Sequence, residues 1–356
     1  MMASHTSLQT LQIENTKELA TLAQLCYVSD EQPGFHRRRS GRGFTYLDTK
    51  GNTVKDKDLR QRFKSLVIPP AWTDVWICAL PDGHIQATGR DDKGRKQYIY
   101  HSRWEKVRDE VKFNQLLAFG EALPRLREQV EEDLRGRGLS RPKVIALVVR
   151  LLDETYLRIG NVAYAEANNS YGLTTLHNDH TTVNGSQVLF SFPGKGGKQQ
   201  EVTMRNRRLA RLVQKCHDLP GQMLFQYVAE DGSYQPLTST DVNAYLQEKT
   251  GQPFTAKMFR TWGATVTVTD YLATLPPPPS ESAAQKNVAL AIKQAAAALG
   301  NTPTVCRQYY VHPAIVTAYM SGELAAAIAD PEDLTTLPTE SGLSAVETLI
   351  LTLLRS

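Results

Sequence analysis

The hydrophobic period shifts from strand-like to mainly helical near residue 105, and that shift constrains the fold more than any other feature. Between Thr45 and Arg103, short runs of β-branched and aromatic residues alternate with turn signals: FTYLD, VWICALP, a Pro-Asp-Gly turn, HIQATGR, an Asp-Asp-Lys-Gly turn, then KQYIYH. Period-two alternation between such punctuation predicts an antiparallel sheet. Beyond it the pattern turns helical: Val144 to Ile159 repeats apolar residues at helical spacing, and Asn206 to Lys215 does so more weakly. One β interruption, Gly172 to Met204, breaks the helical part. Its second half reads as a hairpin, with VLFSF and EVT flanking the turn Pro193-Gly194-Lys195-Gly196-Gly197-Lys198. The expected fold class is therefore α+β, with a small N-terminal antiparallel β-sheet domain over residues 1–107. A larger, mainly helical domain follows over 108–356, joined through a segment near 105–112. A length of 356 residues agrees, since one hydrophobic core rarely serves so long a chain.

Local signals refine this outline. Residues 11–26 read as a short helix, and the segment after them as a basic loop holding His36, Arg37, Arg38, Arg39 and Arg42 among Gly34, Ser40, Gly41 and Gly43. Pro276 to Pro279 forms a rigid stop before an Ala-rich helix. Ser282 with Gln285 fits a capping box for that helix, and Gly300 fits its C′ position. Thr302 as N-cap and Pro303 as the first helical residue open the next one. Tyr310 falls about two turns into it, and Pro313 limits it.

Charge narrows the class of partner. The chain carries a net +4, but Ser321 to Ser356 holds six acidic residues (Glu323, Asp330, Glu332, Asp333, Glu340 and Glu347) against one basic, Arg355, so residues 1–320 hold +9. A basic body suits contact with a phosphate backbone. Cys26, Cys78, Cys216 and Cys306 are scattered with no CxxC pair, which reads as reduced thiols rather than a disulfide framework or a zinc site. The first residues, MMASHTSLQT, lack the apolar stretch of a signal peptide, and the apolar segment Val346 to Leu354 is too short to span a bilayer. A cytoplasmic protein without a membrane partner is expected.

Cleaving a phosphodiester without a metal requires a nucleophile, cations for the charge that builds on phosphate, and an acid for the leaving oxygen. The chain offers candidates for each: Arg158 in LRIG, Lys195 in the glycine-rich turn, Arg260 in KMFRTWG, then Asn301 and Tyr310, nine residues apart. Taken singly, each has an ordinary structural reading. An arginine on an apolar helix snorkels or pairs, a lysine in a hairpin is solvated, and a tyrosine beside another aromatic packs.

Their order changes the reading. LRIG, a long gap, FPGK, KMFRTWG, GNTP and YYVHP together resemble the poxvirus-type and bacterial type IB DNA topoisomerases, from about Ile68 to Pro313. The resemblance implies a catalytic domain of the topoisomerase IB and tyrosine recombinase type. Tyr310 would attack a backbone phosphorus, leaving a 3′-phosphotyrosyl bond and a 5′-hydroxyl. Arg158 and Arg260 would pair with the non-bridging oxygens, as forked guanidiniums suit, and Lys195 would protonate the 5′ oxygen. It further implies DNA contacts at Gln97, Tyr98 and Tyr100 of GRKQYIY, at Tyr164 and at Lys257. Arg37, Arg38, Arg39 and Arg42 are added from the basic loop. The implied partner is duplex DNA clamped by a monomer, with no cofactor, neither ATP nor metal. Many relatives have His where this chain has Asn301; a neutral amide donates a hydrogen bond but brings no charge.

Other motifs fit less well. His177 and His180 stand three apart on a β-type segment and read as surface or structural residues rather than zinc ligands. Gly194 to Gln199 lacks the GK[ST] ending of a phosphate loop and joins two strands. The alternatives are a tyrosine recombinase-like strand transferase and a DNA-binding protein without catalysis. Recombinases place His where this chain has Lys257, and a mere binder has no use for Tyr310, Arg158 and Arg260 together.

Overall fold

The computed structural model describes residues 16–328 and 342–356. The chain divides into two compact units, 1–114 and 115–356. The division falls inside one long helix, so the expected boundary at residue 107 lies a turn and a half into that helix.

The first unit begins with α1 (Thr16–Leu22); residues 11–15 of the expected helix lie outside the described residues. It continues through β1 (Gly34–Ser40), β2 (Gly43–Leu47), α2 (Lys57–Ser65), β3 (Thr73–Cys78), β4 (Ile85–Arg90) and β5 (Lys96–Tyr100). The strands pair antiparallel in the order β2-β1-β3-β4-β5. Phe63 of α2 packs against one face among Phe35, Tyr46, Val75, Ile77, Ala87 and Ile99.

The basic segment is not the loop expected. Arg37, Arg38 and Arg39 lie in β1, and only Gly41 and Arg42 form the turn to β2. Strand alternation then divides the arginines between faces. Phe35 faces the Phe63 core and takes Arg37 and Arg39 to its side. His36 and Arg38 take the other, and the register runs His36 to Trp76, Trp76 to Thr88 and Thr88 to Tyr98. The Arg37 guanidinium donates to the carbonyls of Ile68 (2.9 Å), Pro69 (2.8 Å) and Trp72 (2.8 Å) and lies 4.1 Å over the Phe44 ring. It staples a loop to the sheet. Gln97 lies on the face of Ile99, opposite Tyr98 and Tyr100, and donates to Asp91 at 3.0 Å.

Helix α3 (Ser102–Leu134) leads into the second unit, which holds α4 (Arg141–Thr155), α5 (Val162–Asn168), β6 (Thr181–Asn184), β7 (Gln187–Pro193), β8 (Gln199–Arg205), α6 (Arg207–His217), the short pair β9 (Gln226–Val228) and β10 (Tyr234–Pro236), α7 (Ser239–Thr250), α8 (Lys257–Ala273), α9 (Glu281–Ala298), α10 (Pro303–Tyr309), α11 (Pro313–Ser321), α12 (Glu323–Ala326) and α13 (Ala345–Arg355). The expected hairpin is β7 and β8, with β6 completing a three-stranded sheet. Ser280, not Ser282, caps α9, its side chain accepting from Ala283 N. Thr302 and Pro303 open α10 as expected.

Helix α8 runs through the core, with Met258 to Thr265 buried without a break. The apolar run Val346 to Leu354 is α13, packed into that core. Its one charge, Glu347, accepts from Arg127 and from Trp262 Nε1 (2.9 Å), while Arg127 also pairs with Asp153. A buried carboxylate is tolerated there because every side facing the core finds a donor. Of the acidic C-terminal residues, Asp330, Glu332, Asp333 and Glu340 lie outside the described residues. No helix among the described residues is long and apolar enough to cross a membrane.

Candidate active site

A cleft of about 390 Å³ in the second unit is lined by Arg158, Gly160, Tyr164, Tyr171, Lys195, Lys257, Arg260 and Tyr310. The structure thus gathers there Arg158, Lys195, Arg260 and Tyr310, singled out along 150 residues of sequence, while Asn301 stands behind the lining and reaches it through Arg158. Tyr309 does not line it.

Arg158 is not on a helix. Helix α4 ends at Thr155, where Tyr156 adopts a left-handed conformation (φ 54°) and caps it through Leu152 O. The chain then runs extended, and Leu173 N and Thr174 N donate to the carbonyls of Arg158 (2.8 Å) and Ile159 (2.7 Å). This approach needs two glycines: a Cβ on Gly172 would stand 2.5 Å from Arg158 O and from Gly160 N. So anchored, Arg158 donates through Nη2 to Asn301 Oδ1 at 2.6 Å.

Asn301 sits between two helices. Gly300 (φ 62°) turns the chain out of α9, Asn301 N donates to Ala296 O at 2.8 Å, and α10 starts two residues later. Arg158 occupies its oxygen, and its Nδ2 is buried without a partner.

Arg260 ties these segments together. Its Nη1 donates to Tyr156 O, just before Arg158, and its Nη2 to Leu299 O (2.9 Å), just before Gly300 and Asn301. Only 4% of the residue is exposed, and its Nε is also buried without a partner. Burial, with the neighbouring Arg158 charge, pushes the guanidinium down to about 10, which keeps it charged at neutral pH.

Tyr310 follows the last turn of α10. Thr265 Oγ1, which donates to Thr261 O at 2.9 Å, accepts from His312 N at 3.1 Å, so α8 holds the chain just after the tyrosine. The ring centroid is 5.2 Å from the Arg260 guanidinium carbon. Burial alone raises a phenol, but here the charge of Arg260 and its hydrogen bond to the phenol, then the charges of Arg158 and Lys257, outweigh it, and the Tyr310 phenol falls below its ordinary value.

Lys195 stands at the exposed tip of the β7–β8 hairpin, in a turn closed by Gly194 N to Lys198 O (2.8 Å). Lys257 is the first residue of α8, and Tyr164 lies on α5. In the first unit, Tyr98 is 42% exposed and stacks on Tyr100 at 5.8 Å, which in turn stacks on Trp104 at 6.2 Å. Sequence reading missed the contributions of Tyr156, Leu299 and Thr265. The first two act through carbonyls, which carry no sequence signal. Thr265 is one of three buried threonines of α8, with Thr261 and Thr269, and nothing in the sequence singles it out.

His177 and His180 flank a single 3₁₀ turn rather than a strand, and Asp179 brings a third ligand atom, all within 4.8 Å. His180 Nδ1, however, accepts from His177 N at 3.1 Å, so its proton sits on Nε2. That form offers a metal no lone pair, and the cluster is a turn closure packed on Tyr171.

Comparison with known proteins agrees with the cleft. Residues 101–328 match the eukaryotic DNA topoisomerase I catalytic core, and residues 43–91 the bacterial DNA topoisomerase IB N-terminal domain. DNA topoisomerase 1B of Acanthamoeba polyphaga mimivirus is 34% identical over 286 residues, covering 78% of this chain and 85% of that protein. DNA topoisomerase 1B of vaccinia virus (strain Copenhagen) is 23% identical over 287 residues, with 78% and 87% covered. With the model of the catalytic core spanning more than half its length, this chain belongs to the type IB DNA topoisomerases.

Proposed function

We propose that the protein relaxes supercoiled duplex DNA by transient cleavage of one strand at the cleft around Tyr310, through a 3′-phosphotyrosyl intermediate and without ATP or a metal ion. The observation that carries this reading is the pair of buried donors left without partners, Arg260 Nε and Asn301 Nδ2. Burying a donor unpaired costs about 1–3 kcal/mol, and two such donors, on the arginine that lines the cleft and on the partner of Arg158, suit an anion that arrives with the substrate.

The Tyr310 phenolate attacks phosphorus, and its lowered proton affinity favours that form. Arg158, Arg260 and Asn301 hold the non-bridging oxygens as negative charge grows on them. Asn301 serves as a donor oriented by Arg158 and not as an acid. Lys195 gives its proton to the departing 5′ oxygen, and religation reverses each step. The new ester conserves the energy of the old one, so no cofactor enters the cycle. Between the steps the free 5′ end rotates.

Tyr164 and Lys257 extend the same cleft as DNA contacts, and Arg38, Arg42 and Tyr98 form a second contact on the exposed sheet face. A cytoplasmic, nucleoid-associated monomer gripping the duplex with both units fits this reading. The test is incubation with supercoiled plasmid in EDTA without ATP. Relaxed topoisomers are expected, and plasmid left supercoiled at stoichiometric enzyme would overturn the proposal.

A further inference from the structure

Lys195 stands on a tip of three glycines, Gly194, Gly196 and Gly197, two of them at positive φ. Such a turn has no stiffness of its own, so something beside it must hold the lysine. The inward face of β8 shows what does. Gln200, Val202 and Met204 point to the same side, opposite Phe192, Phe190 and Val188 of β7. Two of these three β8 positions are apolar, as alternation predicts; the third, nearest the tip, is an amide. An inward polar residue among apolar ones is the kind of departure that marks a task.

The surroundings of Gln200 define that task. A Cβ on Gly194 would stand 2.5 Å from Gln200 Cγ, and one on Gly300 only 2.1 Å from Gln200 Oε1. The side chain therefore fills the space left by two glycines, one immediately before Lys195 and the other immediately before Asn301. Its Nε2 donates to Gln199 O at 3.2 Å and reaches Lys198 O at 3.4 Å, the same carbonyl that closes the tip by accepting from Gly194 N. Ser170 Oγ secures the other side of the turn by donating to Gly194 O at 2.9 Å.

We propose that Gln200 is a positioning residue that sets the Lys195 hairpin against the Gly300–Asn301 turn. It touches neither the phosphate nor the leaving oxygen, and it acts on proton delivery by fixing where Lys195 points. This rests on the reading of Lys195 as the acid.

The test compares single-turnover cleavage of an ordinary DNA strand with that of a strand whose bridging 5′ oxygen is replaced by sulfur. A thiolate departs without a proton, so only defects in proton delivery disappear. Gln200→Met keeps the bulk and removes the amide, and it is expected to slow ordinary cleavage about tenfold, the scale of one lost hydrogen bond. With sulfur its rate should return to within about threefold of the unsubstituted enzyme, a residue of less than about 0.7 kcal/mol. Gly194→Ala, which pushes on Gln200 from the other side at an unstrained φ, should show the same pattern. Gln200→Glu, which keeps the acceptor and loses the donor to the tip, should behave like Gln200→Met. Lys195→Ala is the control. If sulfur fails to rescue it, the assignment of the acid falls. If it is rescued while Gln200→Met and Gly194→Ala stay slow, or if Gln200→Met cleaves ordinary DNA at full rate, the positioning role alone is refuted. Melting temperature and DNA affinity, followed in parallel, separate a misfolded variant from a mispositioned one.

Discussion

Arg37 in the sheet unit and Arg260 in the catalytic unit are both held by main-chain carbonyls, and they differ in what is left over. Arg37 gives its two terminal nitrogens to three carbonyls and rests on Phe44, at a site still open to solvent. Arg260 gives its own to two carbonyls, is almost wholly enclosed, and keeps a buried Nε without a partner, as Asn301 keeps its Nδ2. The lesson concerns cost. An arginine that only staples a loop satisfies itself, whereas one kept for a substrate carries a penalty until the substrate arrives. The more accessible of the two is the one whose terminal nitrogens are all taken.

The largest effect belongs to the nucleophile that the Arg260 side of this comparison serves. Tyr310→Phe removes the phenolic oxygen and leaves the packing against Arg260, so DNA binding should persist while relaxation and the covalent adduct on a denaturing gel vanish. An adduct that survives the change would shift the nucleophile to Tyr309. Next comes Arg260→Ala, expected to slow cleavage about 10²–10³-fold, the range for loss of one preorganised donor to a developing anion. It also removes the main charge that lowers the Tyr310 phenol, so the residual rate should keep rising to higher pH than in the unsubstituted enzyme. A profile that stays in place would mean that Arg158 and Lys257 do that work instead.

Arg37→Ala sharpens the contrast. It should destabilise the sheet unit by about 2 kcal/mol, as expected for hydrogen bonds from a charged group, and leave the cleavage rate on saturating DNA unchanged. Hydrogen exchange at the β1 and β3 amides measures this directly. Slow cleavage with undiminished protection would reverse the assignment and make Arg37 a substrate contact.

How much of this was legible in the sequence follows from the same contrast. Strands β2 to β5, the β7–β8 hairpin and the Thr302–Pro303 helix start announce themselves through side-chain pattern, whereas the cleft residues were legible only through the order of motifs that resembles a known family. Strand β1 did not, because its run of three arginines reads as loop until pairing with β2 and β3 imposes alternation. Helix α2 was missed because Phe63 is its one buried residue. Arg158 was read onto a helix because apolar spacing continues through Leu157 and Ile159, although the left-handed Tyr156 has already ended α4. The carbonyls that hold Arg260 were invisible, since every residue carries one.

The smallest expected effect tests how β1 divides its arginines. If the duplex lies on the face that presents Tyr98, the register gives it Arg38 and not Arg39, while Arg42 reaches it from the turn. Removing one cation that neutralises a phosphate lowers the slope of log K against log salt by about 0.9. Arg38→Ala and Arg42→Ala should each do so, and Arg37→Ala and Arg39→Ala should leave the slope alone. The fourfold alanine variant then falls by about 1.8 rather than the roughly 3.6 expected if all four arginines met phosphates. Binding isotherms at several salt concentrations decide between these values. A fall near the larger value would mean that β1 does not keep its pairing on DNA, because a paired strand cannot turn adjacent side chains to one side. An unchanged slope would remove this face from the interface and leave the cleft in the second unit to hold the duplex.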